Sequence, residues 1–287
     1  PVDHPNTAEV LSGTNPSEPP KIYIGCAKWG RKDWIGKLYP QGTAEKDFLG
    51  HYAKHFNSIE LNATHYRVPP NSWVEKWVKM VGDDFLFFPK VHQQISHRRR
   101  LRHCQFATEE FCQTIRGFGE KLGVTFLQMP PTFGPKNLGD LKMYLESFPK
   151  DIPLAIELRH PDWFENSPTY DDLYPVLKSN NISTVITDTA GRRDVLNPRL
   201  STPVAFIRFV GNNLHQTDYT RIDDWVARLN EWIKQGLQSV YFFMHQPDEI
   251  ASPELITYFA EKFYKATGLK VKIPKLLPPP PAQGNLF

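Results

Sequence analysis

Short apolar runs and longer helical patterns alternate along most of this chain. Eight runs rich in β-branched and aromatic residues are typical of buried strands. They are Ile22–Cys26, Ser58–Leu61, Phe85–Pro89, Val124–Met129, Leu154–Leu158, Ser183–Thr187, Val204–Val210 and Ser239–Met244. Most precede a segment whose apolar residues recur with a period of about 3.6, which predicts an amphipathic helix. After the sixth run, residues 192–197 leave room only for a short helix.

Eight strands, each followed by a crossover within roughly 250 residues, predict an α/β fold of the (β/α)8 TIM-barrel type. An open doubly wound sheet is the alternative, but it needs a reversal of strand order and usually a glycine-rich first turn, and neither is visible. We expect a single barrel domain over 21–273. Proline-rich composition predicts an extended N-terminal segment over 1–20 and an extended tail over 274–287.

Composition narrows the class of protein without selecting a partner. The chain has 287 residues, 40% of them hydrophobic, and its 34 Lys and Arg against 31 Asp and Glu give a net charge of +3. No overall field therefore draws it to nucleic acid or to a membrane. The longest apolar run, Val240–Met244, is far shorter than the ~20 residues of a membrane span. Three cysteines without CxxC spacing argue against a disulfide framework. We expect a cytoplasmic protein.

Polar side chains are expected to converge where the strands end, because a TIM barrel builds its ligand site at the carboxyl ends of its strands. The strand-end residues are Lys28, Glu60, Asn62, Lys90, Gln128, Glu157, Arg159, Asp188, Arg208 and His245. Four cations face three carboxylates in this set, which predicts an electropositive pocket. For any single residue a structural ion pair is the simpler explanation. The whole set, which includes amides and a histidine, favours an anionic or sugar-like ligand.

A basic run, His97–His103, follows the third strand and carries four arginines in seven positions. Guanidinium groups bind phosphate oxygens in pairs, and His97 adds a donor, so the run is a candidate phosphate site. A solvated basic surface is the alternative. Aromatic residues near the same rim, including Tyr66, are candidates for stacking on bases or sugars.

Other motifs carry less weight. The segment Gly25–Lys32 has the glycine spacing of a phosphate loop but lacks its Gly-Lys-Ser/Thr ending. A divalent metal site could be made from Glu60, Glu157, His160, Asp188 and His245. Their spacing does not require one, so we favour a metal-free site and leave the cofactor unknown.

These segments resemble the YecE-like family, the domain of unknown function numbered 72. The resemblance rests on IYIGCAKWGRKDWIGKLYP, SIELNATHYRVPP, FPKVHQQISHRRRL, KLGVTFLQMPPTF, LAIELRHPDWF, VITDT, AFIRFVG and YFFMHQ. It implies a TIM barrel similar to xylose-isomerase-like and endonuclease-IV-like barrels, and it brings no established activity. The family's characteristic polar positions correspond to Glu60, Asn62, Tyr66, Lys90, His97, Gln128, Glu157, Arg159, His160, Asp188 and Arg208. Two departures are a missing histidine in FIRFVG and MHQ in place of paired asparagines.

The C-terminal residues QGNLF resemble the peptides that bind the bacterial replication sliding clamp. Gln283, Leu286 and Phe287 would then contact this partner, with the proline run holding them away from the barrel. A tail that docks on its own body is the alternative.

The leading hypothesis is a barrel that binds a phosphate-bearing or nucleic-acid-derived ligand, with hydrolysis as the candidate reaction. Glu60, Glu157 and Asp188 would be the catalytic carboxylates, and Lys90, His97, Arg159 and Arg208 would hold the anion. Lys28, Asn62, Tyr66, Gln128 and His160 complete the expected ligand-binding set. The alternatives are a glycoside hydrolase with a carboxylate pair, and a non-catalytic barrel recruited to the sliding clamp.

Overall fold

The computed structural model describes residues 3–14, 17–164 and 168–278. All eight predicted strands are present, and their ends differ from the predictions by at most two residues. They are β1 (Lys21–Cys26), β2 (Ser58–Leu61), β3 (Leu86–Pro89), β4 (Thr125–Gln128), β5 (Leu154–Glu157), β6 (Ser183–Thr189), β7 (Val204–Val210) and β8 (Ser239–His245).

Helices connect most of these strands. They are α1 (Pro5–Ser12), α2 (Phe48–His55), α3 (Ala63–Tyr66), α4 (Asn71–Met80), α5 (Gln105–Arg116), α6 (Leu138–Ser147), α7 (Pro168–Ser179), α8 (Gln216–Lys234) and α9 (Ser252–Thr267). Between β6 and β7 the chain forms only the 3₁₀ turn Arg193–Val195, which confirms the short connection that the sequence predicted. None of the helices in the described ranges is long and apolar enough to cross a membrane.

The strands are parallel and form two sheets. Six of them make a curved sheet in the order β1-β8-β7-β6-β5-β4, and β2 pairs with β3 in a second sheet. Hydrogen bonds from Val91 N to Phe126 O (2.9 Å) and from Gly123 N to Phe87 O (2.7 Å) connect the β3 and β4 segments. The expected single ladder of eight strands is therefore divided into one sheet of six strands and one sheet of two strands.

Side chains replace the main-chain ladder between β1 and β2. Asn57 accepts from Ile24 N at 2.9 Å and donates to Ile22 O at 2.8 Å. The Tyr52 hydroxyl accepts from Cys26 N at 2.7 Å and donates to Ser58 O at 2.8 Å. These four hydrogen bonds satisfy strand groups that would otherwise be buried without partners. They explain why the two sheets contact each other without a continuous ladder.

Two apolar clusters stabilise the fold, one on the inner face of the curved sheet and one between strands and helices. The inner cluster contains Phe88, Val124, Phe126, Ala155, Val185, Phe206 and Phe243. The outer cluster is larger and includes residues such as Ile24, Ile186 and Phe242 together with the helix faces. Because side chains alternate along a strand, strands such as β6, β7 and β8 supply residues to both clusters, whereas the apolar residues of β2 belong to the outer one.

The N-terminal segment differs from the prediction, because it contains α1 rather than extended chain. Pro5 suits the first turn of a helix, and Thr7 and Leu11 are fully buried. Thr7 Oγ1 accepts from Leu200 N at 3.1 Å, and Thr14 Oγ1 donates to Gly236 O at 2.6 Å. Proline content misled the prediction, since the small apolar face of α1 packs on the body of the protein beside Leu200 and Gly236.

The described part of the C-terminal tail packs against the body. Lys272 Nζ donates to Ala53 O, and Leu277 N donates to Lys37 O, both at 2.8 Å. The predicted clamp-binding residues Gln283, Leu286 and Phe287 lie outside the described residues, so that prediction stays a prediction.

Candidate functional site

A polar layer lies on the inner apolar cluster at the carboxyl ends of the strands. Its members come two positions after an inner apolar residue, so the alternation of the strand places them on the same side. Lys90 follows Phe88, Gln128 follows Phe126, Glu157 follows Ala155, Arg208 follows Phe206 and His245 follows Phe243. Glu60 on β2 joins them, and we call these six residues the inner polar cluster.

Arg208, on β7, is the centre of the inner polar cluster and links β2 to β5 through their carboxylates. Its Nε and Nη2 donate to the two carboxylate oxygens of Glu60, at 2.8 and 2.9 Å. Its Nη1 donates to Glu157 Oε2 at 2.9 Å. One buried guanidinium thus bridges two buried carboxylates, and it is itself engaged by both.

Glu60 has no acceptor position left for a ligand of ordinary geometry. Besides Arg208, Asn62 Nδ2 donates to Oε1 and His245 Nε2 contacts Oε2, both at 2.9 Å. Burial alone would raise the pKa of Glu60, but the charges of Arg208 and His245 outweigh burial and hold that pKa well below its ordinary value. Glu60 is therefore a permanent anion that positions Arg208 and His245.

Gln128 connects the second carboxylate to a lysine. Its Oε1 accepts from Lys90 Nζ, and its Nε2 donates to Glu157 Oε2, both at 2.8 Å. Lys90 is in none of the ion pairs formed by the described residues. The lysine therefore carries its charge into the site without a direct counter-ion.

One oxygen of Glu157 remains available. Glu157 is 1% exposed, and its Oε1 makes no hydrogen bond with any described residue. Arg159 Nε lies 3.7 Å away, which is an ion pair but too long for a hydrogen bond. Burial opposes ionisation, yet Arg208 and then Arg159 lower the pKa of Glu157. The result is an ionised carboxylate with one oxygen facing a partly exposed guanidinium.

His97 borders the cluster on the side of Lys90. It is half-buried, its Nδ1 lies 2.8 Å from Ser96 Oγ, and its ring packs edge-on against His65 at 4.9 Å. Burial, followed by the charges of Lys90 and Arg159, lowers the pKa of His97. Burial, followed by the charges of Lys90, His97 and His92, lowers the pKa of His65 to about 4, although its contact with Val91 O acts in the opposite direction. Burial first, and the charge of Lys90 second, therefore favour the neutral form of both imidazoles.

Asp188 lies outside the inner polar cluster, which corrects the predicted site. It lies on β6 with Ile186 on the outer side of the strand, and its Oδ2 accepts from Trp225 Nε1 on α8 at 2.8 Å. Arg221 Nη1 donates to Oδ1 at 2.8 Å, and Arg193 contacts the same oxygen. We expected Asp188 to end the strand and point inwards, but β6 continues to Thr189 and the alternation turns Asp188 towards the helices.

The remaining predicted ligand residues lie at the rim. Lys28 is exposed just after β1, and Tyr66 is 69% exposed at the end of α3. His160 accepts from Asp162 N at 3.3 Å, so it caps the 3₁₀ turn after β5. The structure does not bring Lys28 and His160 into hydrogen-bond contact with the inner polar cluster.

Arginines of the basic run contact the segments that follow β4. Arg100 donates to Thr132 Oγ1 at 2.9 Å and stacks on Phe133, and Arg102 pairs with Asp140 at 2.7 Å. These contacts join the loop after β3 to the elements that follow β4. The expected cluster of phosphate-binding arginines is therefore not gathered at one point.

Comparison with known proteins places this arrangement in a family. The family model described as "Protein of unknown function DUF72" matches residues 23–281. The chain belongs to the DUF72 family. The sequence-based resemblance is thereby confirmed. "UPF0759 protein YecE" of Escherichia coli K12 is 30% identical over 284 residues, covering 93% of this chain and all of the relative. "UPF0759 protein YunF" of Bacillus subtilis 168 is 28% identical, covering 77% of this chain and 86% of the relative.

Solved DUF72 structures share the fold. A DUF72 protein from Enterococcus faecalis V583 superposes with a TM-score of 0.68 at 23% identity, covering 90% of this chain and 98% of the other. One from Thermotoga maritima MSB8 gives 0.66 at 24% identity, covering 87% and 100%. Similarity at this level establishes the α/β fold. The chemistry of the DUF72 site follows from the residues of this chain.

Sequence reasoning missed Thr187. Thr187 follows the inner residue Val185 by two positions, is 6% exposed, and its Oγ1 has no hydrogen-bond partner among the described residues. The same alternation that placed Arg208 would have found it. Of the five proposed metal ligands only Glu60, Glu157 and His245 meet around Arg208. Over the described residues, no group of three or more His, Cys, Asp or Glu side chains is arranged to hold a metal ion.

Proposed function

We propose that this DUF72 protein binds a small phosphate-bearing ligand, such as a nucleotide or a fragment of nucleic acid, at the carboxyl ends of its strands. The observation that carries the proposal is the pair Lys90 and Arg159. Among the described residues Lys90 has no carboxylate partner, and Arg159 reaches one only at 3.7 Å. Two cations that are not neutralised by direct contacts favour an anion between them.

The charges around the pair support an anion rather than a cation. Lys90, Arg159 and Arg208 outnumber Glu60 and Glu157 by one, and Arg100 adds to the positive potential at His97. Glu157 Oε1 would accept a hydrogen bond from the ligand. A ligand that fits must therefore present both an anionic group and a donor, as a phosphate ester with a hydroxyl does.

The roles within the site differ from those that the sequence suggested. Glu60 and Arg208 position each other and Glu157, because their hydrogen-bonding groups are occupied. Asp188 takes no part. If the ligand is hydrolysed, Glu157 is the proposed acid or base, since it is the cluster carboxylate with an available oxygen.

Fewer contacts support the other hypotheses. A glycoside hydrolase needs two working carboxyl groups, and Glu60 is fully engaged. Recruitment to a sliding clamp through Gln283, Leu286 and Phe287 is a separate proposal, tested by calorimetry with the peptide PPPPAQGNLF. We further propose that the two sheets function as one closed (β/α)8 barrel, since hydrogen bonds connect them on both sides.

Thermal unfolding in phosphate, compared with chloride of equal ionic strength, tests the binding proposal. Phosphate should raise the Tm of the wild type, since a ligand at 100 times its Kd stabilises by about 2.7 kcal/mol. Lys90→Met and Arg159→Met should lose this shift. The matched control Arg102→Met, which removes an arginine of the surface pair with Asp140, should keep it. Equal shifts in all four proteins would overturn the proposal.

A further inference from the structure

The environment of Lys90 is unusual for a lysine. The residue is 8% exposed, and its amine lies within hydrogen-bond distance of the neutral amide oxygen of Gln128 rather than a carboxylate. Phe126 lies below the amine, with the nitrogen 5.9 Å from the ring centroid. A buried ammonium normally acquires an ion-pair partner. Here the two nearby carboxylates, Glu60 and Glu157, are instead engaged by Arg208.

These surroundings enlarge the neutral fraction of the Lys90 amine, although the ammonium form still predominates at pH 7. Burial, and next the charge of Arg208, lower the pKa of Lys90 from 10.5 to about 8, although Glu60 and Glu157 act in the opposite direction. A difference of this size gives roughly 300-fold more neutral amine at pH 7 than an ordinary lysine has. A neutral lysine amine is a nucleophile, and desolvation or a neighbouring cation is how proteins produce one.

A proton acceptor and an anion anchor lie beside the amine. Gln128 bridges Lys90 to Glu157 through two hydrogen bonds of 2.8 Å. Glu157 Oε1 is buried without a hydrogen-bond partner from the described part of the chain. Arg159 holds a charge 3.7 Å from that oxygen and is open to solvent for about a third of its side chain, at 34%. The nucleophile therefore comes from the end of β3, the bridging amide from β4, and the base and the anchor from the end of β5.

We infer that Lys90 forms a covalent imine with the carbonyl carbon of a small anionic aldehyde or ketone. The inference deepens the proposed function and rests on it, because Arg159 and the positive potential would hold the anionic group of the same ligand. The ligand class is thus a phosphorylated or carboxylated carbonyl compound.

The step balances without any further reactant. The nitrogen lone pair attacks the carbonyl carbon, and the carbonyl electron pair moves to oxygen. One proton passes from nitrogen to Glu157 and then to this alkoxide oxygen, which becomes a hydroxyl group. A second proton, from the same amine, follows this route when the hydroxyl leaves. The products are one imine and one water from one amine and one carbonyl.

Reductive trapping tests the inference on the intact wild-type chain. The protein is incubated at pH 7 with glyoxylate and sodium cyanoborohydride, which converts an imine into a stable carboxymethyl group, and peptide mapping locates the modified lysines. Lys136, an exposed lysine on the loop after β4, is the internal reference. Lys90 should be modified about tenfold faster or more, since its neutral fraction is larger. Its rate should level off above pH 8, whereas that of Lys136 should keep rising.

Variants confirm the position of the adduct. Lys90→Arg keeps the charge but forms no reducible imine, so the fast phase should vanish, while Lys136→Arg should keep it. Equal or slower modification of Lys90 in the wild type would overturn the inference even if the variant failed to fold. The failure would be distinct from that of the proposed function, because the phosphate-dependent Tm shift is measured without a carbonyl. If glyoxylate labels Lys90 fast and phosphate in excess does not slow it, the shared anion site is wrong.

Discussion

Two networks of carboxylates and arginines lie on opposite faces of the six-stranded sheet. Around Asp188, both carboxylate oxygens are engaged by Arg193, Arg221 and Trp225, between the sheet and α8. Around Arg208, Glu60 is equally saturated, but Glu157 keeps one oxygen without a hydrogen-bond partner among the described residues. Composition alone does not distinguish the two networks.

The difference teaches that a buried carboxylate oxygen without a hydrogen-bond partner marks the candidate site. Both oxygens of Asp188 are engaged, and the group without a partner among the described residues of that network is a donor, Arg221 Nε. The inner polar cluster contains a saturated half, Glu60 with Arg208, and an open half made of Glu157 and Lys90, beside which Arg159 lies. Buried polar groups without partners are rare because they destabilise the fold, so their persistence favours a functional explanation.

Arg208→Met should produce the largest effect on stability. It leaves Glu60 and Glu157 buried without the guanidinium, and breaking such a network costs about 3–5 kcal/mol of the free energy of unfolding. Urea unfolding at pH 7 measures this loss. The matched control Arg102→Met should change stability little, since its pair with Asp140 is on the surface.

The pH dependence of that variant sharpens the comparison. In the wild type the lowered pKa values of Glu60 and Glu157 stabilise the fold above the ordinary value of 4.5, and this contribution is lost as the pH falls below it. Without Arg208, burial should raise both pKa values, so acidification towards pH 4.5 should stabilise the variant relative to pH 7. A variant that loses stability with the wild-type pH profile would contradict the bridging role of Arg208.

Asp188→Asn should have the second-largest effect and should separate the two networks. The loss of charge weakens the contacts with Arg193 and Arg221, and we expect about 1–3 kcal/mol of lost stability. The phosphate-dependent Tm shift should stay at its wild-type size. Asp194→Asn, in the exposed pair with Arg192, is the control for removing an acidic charge nearby. A lost phosphate shift in Asp188→Asn alone would mean that the outer network participates in binding.

Arg159→Met should have the smallest effect on stability and a large effect on binding. Its long contact with Glu157 and its partial exposure predict a change within about 0.5 kcal/mol in urea unfolding. The same protein should lose its phosphate-dependent shift. A loss of stability comparable with that of Arg208→Met would assign Arg159 to the saturated half instead.

The sequence predicted the strands and most of the cluster because both follow from local patterns. Phe88, Phe126 and Phe206 face inwards, and a polar residue two positions later must face the same way. Applied strictly, this alternation also excludes Asp188 and includes Thr187. The prediction failed there because it counted residues near a strand end without asking which side of the strand they occupied.

Other features depend on contacts between distant segments, which no local pattern reveals. The hydrogen bonds of Asn57 and Tyr52 replace the ladder between β1 and β2, and both residues come from the connection that follows β1. The basic run looked like one phosphate site, but Thr132 and Asp140 engage two of its arginines separately. Likewise, α1 packs against the segment around Leu200, which is far from it in the sequence.

Anomalous diffraction from a crystal soaked in selenate, a tetrahedral dianion, tests the central claim most directly. The account predicts a selenium peak whose oxygens lie within hydrogen-bond distance of Lys90 Nζ and the Arg159 guanidinium, at the edge of the inner polar cluster. Peaks confined to exposed arginines such as Arg102, or to the network around Asp188, would contradict it.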